Sequence, residues 1–159
     1  IPHADILELC RHATGALEAV HNGNEKSALV ALDGAIAENR LADFLIGTDA
    51  PAGSGVQPNG MLRMVTLMAS LGGLPADQAW CCGSGNVSKR RNLEQGIVAT
   101  GRPADLVFMD RPGGSEGGDV LGAMALGHIP GIAAVMIDGK MRTGRSRSTP
   151  PSARIPVLS

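Results

Sequence analysis

Two short apolar runs, each preceded by a stretch with helical apolar spacing, constrain the fold of this chain more than any other feature. In residues 3 to 13, HADILELCRHA, the residues Ile6, Leu9, Cys10 and Ala13 recur at spacings of three and four. That makes one apolar helical face, with Asp5 near the positive end of the helix dipole. GALEAV follows and is stopped by His21-Asn22-Gly23-Asn24, so a strand is predicted over residues 16 to 21. Between Glu25 and Arg40 the helical period returns in Ala28, Leu29, Leu32, Ile36 and Ala37. The interior Gly34 there costs about 1 kcal/mol relative to alanine. ADFLIGTD, with Phe44, Leu45 and Ile46 in one apolar run, predicts a buried strand over residues 43 to 48 that ends at Asp49. Helix, strand, helix, strand on short connections is the pattern of an α/β fold, a parallel sheet covered by helices.

Beyond the glycine-rich loop APAGSGVQPN at residues 50 to 59, Leu62, Val65, Met68 and Ala69 predict a helix from Gly60 to Leu71. A further helix is predicted from near Pro75 through Cys82. The character then changes, and an architectural boundary is placed near Leu93. The apolar runs Gly96 to Ala99 and Ala104 to Met109, and the run GIAAVMI before an Asp138-Gly139 turn, read as antiparallel strands. The tail after Thr143 is polar and proline-rich and is expected to pack irregularly along a surface.

Composition narrows the function. With 14 basic and 15 acidic residues among 159, the chain has no overall field for phosphate backbones, and Trp80, Phe44 and Phe108 offer little for base stacking. Nucleic acid is excluded as an expected partner. No apolar run reaches the roughly 20 residues that cross a bilayer, so no membrane association is expected. Cys10, Cys81 and Cys82 are an odd set without a disulfide framework, which suits a cytoplasmic location. Ile1 in place of methionine fits a trimmed chain or a fragment.

In parallel sheets, chemistry gathers at the C-terminal ends of strands, and both Asp49 and His21 stand there. Asp49 could bind a metal ion or shuttle a proton between water and a leaving nitrogen, and it reads equally as a turn or capping residue. His21 could touch a substrate, or be a polar loop residue with a backbone partner. His3, His12 and His128 have no partner at a metal-ligand spacing and read as structural. Cys81-Cys82 lacks the two-residue spacer of a redox pair and reads as buried packing. Lys89, Arg90 and Arg91 read as a solvated helix end. The AGSG segment, residues 52 to 55, lacks the lysine of a phosphate loop and reads as an active-site rim, which makes Ser54 a candidate substrate contact.

FLIGTDAPAGSG and GSGNVSKRRNLEQGIVATGRPADLVFMD together resemble the amidohydrolase superfamily. DAPAGSGVQPNGMLR, IPGIAAVMIDG and SRSTPP narrow the resemblance to its enamidase and imidazolonepropionase-like branch. The resemblance implies the C-terminal part of a (β/α)8 metallo-dependent hydrolase barrel plus strands of a small β-sandwich domain. Residues 1–92 would be the last βα units, 93–145 the sandwich strands and 146–159 an irregular tail. It further implies a metal-dependent hydrolase that opens a cyclic amide, a nicotinate-derived lactam, at its C–N bond. Asp49 would be both catalytic residue and metal ligand, and His21 and Ser54 substrate contacts. The implied cofactor is a divalent metal, zinc or iron, and the implied partners are a small cyclic amide and further copies in a homo-oligomer. The family's histidine pair on the first strand, its bridging lysine or carboxylate and its histidines on the fifth and sixth strands have no counterpart here. Most metal ligands are therefore expected outside this chain, and the chain alone is expected to be inactive. Two alternatives stay open: another amidohydrolase of the imidazolonepropionase, dihydroorotase or hydantoinase kind, and a non-catalytic half-barrel that binds a partner.

Overall fold

The computed structural model describes residues 1–21, 24–51 and 55–157. The first half alternates as its periodicity predicts. Helix α1 spans His3–His12, strand β1 Leu17–Val20, helix α2 Glu25–Ala37 and strand β2 Phe44–Gly47, the last entered through a single 3-10 turn at Leu41–Asp43. The two strands pair in parallel, Leu17 beside Phe44 through Val20 beside Gly47. One face carries Leu17, Ala19, Phe44 and Ile46, all buried among Ile6, Cys10, Ala28, Leu32 and Ala35 of the two helices.

The glycine inside α2 has a packing reason. A Cβ on Gly34 would lie 2.8 Å from Cys10 Sγ and 3.2 Å from Leu7 Cδ2, so α1 and α2 can cross this closely only over a glycine. The α2 helix stops at Ala37, three residues before the predicted end, because Asn39 turns to a left-handed φ of 54°. That turn frees Arg40 to donate to the carbonyls of Cys10 and Gly15, which ties the end of α1 to the end of α2.

Three more helices cover the sheet: α3 at Gly60–Ser70, α4 at Ala76–Gly83 and α5 at Gly85–Arg91. Met64, Val65 and Met68 of α3 and Ala79 and Cys82 of α4 complete the core. Asn86 of α5 is buried, and its amide donates to the carbonyls of Leu41 (2.9 Å) and Phe44 (3.1 Å), clamping the start of β2. The basic end of α5 is solvated as expected, with Arg90 on Asp43 at 3.3 Å and Arg91 on Glu18 at 3.6 Å. Of the cysteine pair, Cys82 is buried as predicted and Cys81 is exposed.

The strand predicted at Gly96 to Ala99 does not form. Backbone carbonyls leading into it are taken by side chains: Arg102 donates to Leu93 (3.1 Å) and Glu94 (3.0 Å), and Ser88 to Leu93 (3.0 Å). Gly96 itself has a φ of +88°, outside the strand region. The remaining strands are β3 at Leu106–Asp110, β4 at Gly131–Ile137 and β5 at Lys140–Thr143, an antiparallel sheet in the order β3-β4-β5. The predicted hairpin turn is present, with positive φ at both Asp138 (52°) and Gly139 (69°), the signature of a type I′ turn. Helix α6, Val120–Ala125, has no counterpart in the sequence reading; Asp119 caps it by accepting from the Gly122 amide at 2.8 Å.

The tail lies irregularly along the small sheet. Pro112 bridges to Ser152, Thr149 Oγ accepts from Ile132, and Arg154 grips the buried Asp110 through two hydrogen bonds of 2.7 and 2.9 Å. No helix among the described residues is long and apolar enough to cross a membrane.

Candidate functional site

The parallel pairing of β1 and β2 brings their two C-terminal ends side by side. Val20 stands beside Gly47, and the His21 amide donates to the Gly47 carbonyl at 3.0 Å. Asp49 follows two residues later, exposed, with a φ of 51°. Aspartate tolerates this left-handed conformation better than most residues because its short polar side chain can bond locally. Sequence order alone put His21 and Asp49 at strand ends; the pairing sets those two strand ends side by side at one end of the sheet.

Their surroundings differ. His21 is largely buried, and its Nε2 lies 3.4 Å from Glu25 Oε1 one helical turn on. Both line an open cavity of about 750 Å³ that runs from the start of α2 past residues 56–59 and along α3 to Gly127, Ile129 and Ser148. Asp49 is not among the residues that line it. Ser54, the third candidate, lies outside the described residues.

Further residues of this cavity, Gln57, Arg63 and Thr66, were not singled out from the sequence. Arg63 and Thr66 did leave a signal there, as polar members, with Ser70, of the apolar run GMLRMVTLMAS. Gln57 left none. Behind this wall, two side-chain oxygens, Gln57 Oε1 and Thr66 Oγ, are buried without a hydrogen-bond partner among the described residues. The wall is closed at Asn59, which takes a left-handed φ of 61° and donates its side-chain amide to the Ser148 carbonyl.

The titratable groups with displaced pKa values lie away from this cavity and are structural in placement. Burial raises the Cys10 thiol and, with the neighbouring Cys81, pushes Cys82 up to about 11, so neither is a ready nucleophile. The Arg154 hydrogen bonds hold Asp110 down at about 2. His3 and His12 sit at the two ends of α1, and His128 is exposed after α6. Among the described residues no group of three or more His, Cys, Asp or Glu side chains converges as a metal site. Asp49 offers a single carboxylate, so the described residues do not amount to a complete metal centre.

No family model matches the chain. The enamidase of Eubacterium barkeri is 40% identical over 139 residues, which is 87% of this chain and 36% of that protein. A crystal structure of enamidase, described as a member of the amidohydrolase superfamily, superposes on 98% of the chain with a TM-score of 0.93 at 37% identity, and 40% of that structure is covered. A β-aspartyl dipeptidase from the thermophilic, keratin-degrading Fervidobacterium islandicum AW-1, solved with a β-Asp-Leu dipeptide, aligns over 99% of this chain and 38% of its own. At a TM-score of 0.57 and 16% identity that likeness speaks for the fold alone. The chain thus spans a little over a third of the length of the curated relative it matches. Along nearly its whole length this mixed α/β chain is thus similar to a C-terminal portion of enamidase, a protein described as a member of the amidohydrolase superfamily.

Proposed function

We propose that this chain is the C-terminal part of a metal-dependent hydrolase that opens a cyclic amide at its C–N bond, in the manner of an enamidase acting on a nicotinate-derived lactam. The observation that carries this reading is the superposition on enamidase over 98% of the chain at 37% identity. On this reading, residues 1–92 are the last βα units of a (β/α)8 barrel, 93–145 are strands of a small β-sandwich and 146–159 form its tail. A homo-oligomer in the cytoplasm belongs to the same proposal.

Asp49 is the residue assigned to the chemistry. Its carboxylate stands past the end of β2, the position from which barrel enzymes present their reacting groups. It would accept a proton from the water whose oxygen bonds to the ring carbonyl carbon, and pass that proton to the ring nitrogen as the C–N bond breaks. His21 and Ser54 are assigned to substrate contact. The divalent metal, zinc or iron, would take most of its ligands from residues outside this chain, with Asp49 as its ligand here.

The test is a chimera in which this chain replaces the corresponding portion of the Eubacterium barkeri enamidase. The folded chimera is expected to open a nicotinate-derived lactam faster than it opens an imidazolone, a dihydropyrimidine or a hydantoin ring. A folded chimera that prefers one of the other rings would move the protein to a different amidohydrolase branch, and one inactive on all of them would overturn the hydrolase reading.

A further inference from the structure

Gly60 opens α3 at a place where the backbone does not ask for a glycine. Its φ is not left-handed, and alanine is the better helix former. The reason stands beside it. A Cβ on Gly60 would lie 3.1 Å from Thr48 Cγ2 and 3.5 Å from Thr48 Cβ, so the start of α3 rests on the Thr48 side chain. Thr48 directly precedes Asp49. Its other arm, the hydroxyl, accepts from the amide of Ala50, the residue after Asp49, at a long 3.4 Å. Because a β-branched side chain carries both arms on one Cβ with a stiff χ1, methyl and hydroxyl move together or not at all.

The support behind this contact is firm. Met64, Val65 and Met68 of α3 are fully buried, and Asn59, just before Gly60, donates to the Ser148 carbonyl. Asp49, by contrast, holds a left-handed φ of 51°, which a residue with a side chain keeps only where its surroundings impose it. We propose that Thr48 is a positioning residue for Asp49, its methyl braced on Gly60 and its hydroxyl on the Ala50 amide. The inference rests on the proton-carrying role given to Asp49 above. Its effect belongs to rate rather than binding, since a misplacement of about 1 Å can cost about 10²-fold in turnover. A methyl on Gly60 forces Thr48 to give by a few tenths of an ångström, so a smaller loss is expected.

The test uses the full-length, metal-loaded protein of which this chain is a part on that reading. Gly60→Ala is expected to lower kcat for the lactam about five- to tenfold with KM within about twofold. Thr48→Ser keeps the hydroxyl, removes the methyl and is expected to lower kcat about threefold. Together the two substitutions return a methyl to the shared space from the opposite side, and kcat is expected to recover to within about twofold of the unsubstituted protein. Unrelated defects multiply instead, so a double variant slower than both single ones would overturn the proposal. Unchanged kcat in Gly60→Ala would do the same. Asp49→Asn keeps the two readings apart: retained turnover there removes the role of Asp49, whereas a large loss there with no effect at Thr48 or Gly60 removes the brace alone. A crystal structure of the Gly60→Ala protein needs no turnover to decide. A displaced Asp49 carboxylate is expected, and one that superposes on its unsubstituted place would overturn the bracing even if Tm has fallen.

Discussion

The helical half of the molecule and its small antiparallel sheet are held together by different forces. Around β1 and β2 the strands are short and only two, yet Phe44, Ile46 and Leu32 are at most 2% exposed, and the helices on both sides of the sequence pack onto them. Around β3, β4 and β5 the buried apolar side chains are small, Ala133, Ala134 and Pro130 among them, and polar Asp110 and Ser152 are buried beside them. That sheet is shaped by local devices instead: a two-residue turn, a glycine under the tail and an arginine on a carboxylate. Dry packing therefore fixes the region that carries Asp49, and turn geometry and polar contacts fix the region beside it.

The contrast is sharpest at Phe44. Truncation by Phe44→Ala is expected to destabilise the chain by about 4 kcal/mol, in the range for a fully buried phenylalanine, read from the urea midpoint. A loss under about 1 kcal/mol would mean that the parallel pair is not anchored by its core. In the small sheet the largest effect is expected at Gly131, where a Cβ would lie 2.5 Å from the Ser152 nitrogen and 2.7 Å from the Pro150 oxygen. Gly131→Ala is expected to cost about 1–3 kcal/mol by pushing the tail away. Faster amide exchange at Gly113 and Ala153, which bond across to the tail and to Arg111 respectively, would report it. Unchanged exchange at both would show that the tail is not seated on β4.

Gly139→Ala tests the turn. The space there is open, with the nearest side-chain atom 4.0 Å from a built Cβ, so the φ of +69° alone sets the penalty, about 1 kcal/mol. The smallest effect belongs to the Arg154 link and depends on pH. Asp110 is held at about 2 against an ordinary 3.8, so its contribution to stability is complete above pH 4 and fades as the pH falls toward 2. In Arg154→Gln that acid-sensitive component is expected to shrink, and a stability profile between pH 4 and 2 identical to the unsubstituted chain would remove the link from the account.

The sequence was readable where spacing along the chain and packing in space agree. Helical periods at Ile6, Cys10, Leu32, Val65 and Met68 became core faces, and the Asp138-Gly139 pair became the hairpin it announces. It misled where a local pattern lost to a distant side chain: the apolar run at Gly96 to Ala99 is preceded by carbonyls that Arg102 claims. Helix α6 was hidden because Gly117, Gly118, Gly122 and Gly127 mask its period, and its stability rests on the Asp119 cap and the burial of Met124. Gly34 looked like a defect in α2 and is the contact on which α1 sits.

The site divides in the same way. The strand-end placement of Asp49 and of His21 was legible, because a polar residue that stops an apolar run marks the end of a strand. The cavity beside His21 was not, since His21, Gln57, Arg63 and Ile129 come from four segments that only the packing of α2, α3 and the stretch after α6 brings together.

The account stands on Asp49 as the proton carrier of a ring-opening hydrolysis. Its most direct test is the turnover number of the enamidase chimera with Asp49→Asn beside that of the same chimera carrying Asp49. A fall of about 10³-fold with an unchanged circular dichroism spectrum and Tm is the expected result. Turnover within a factor of a few of the aspartate form would contradict it.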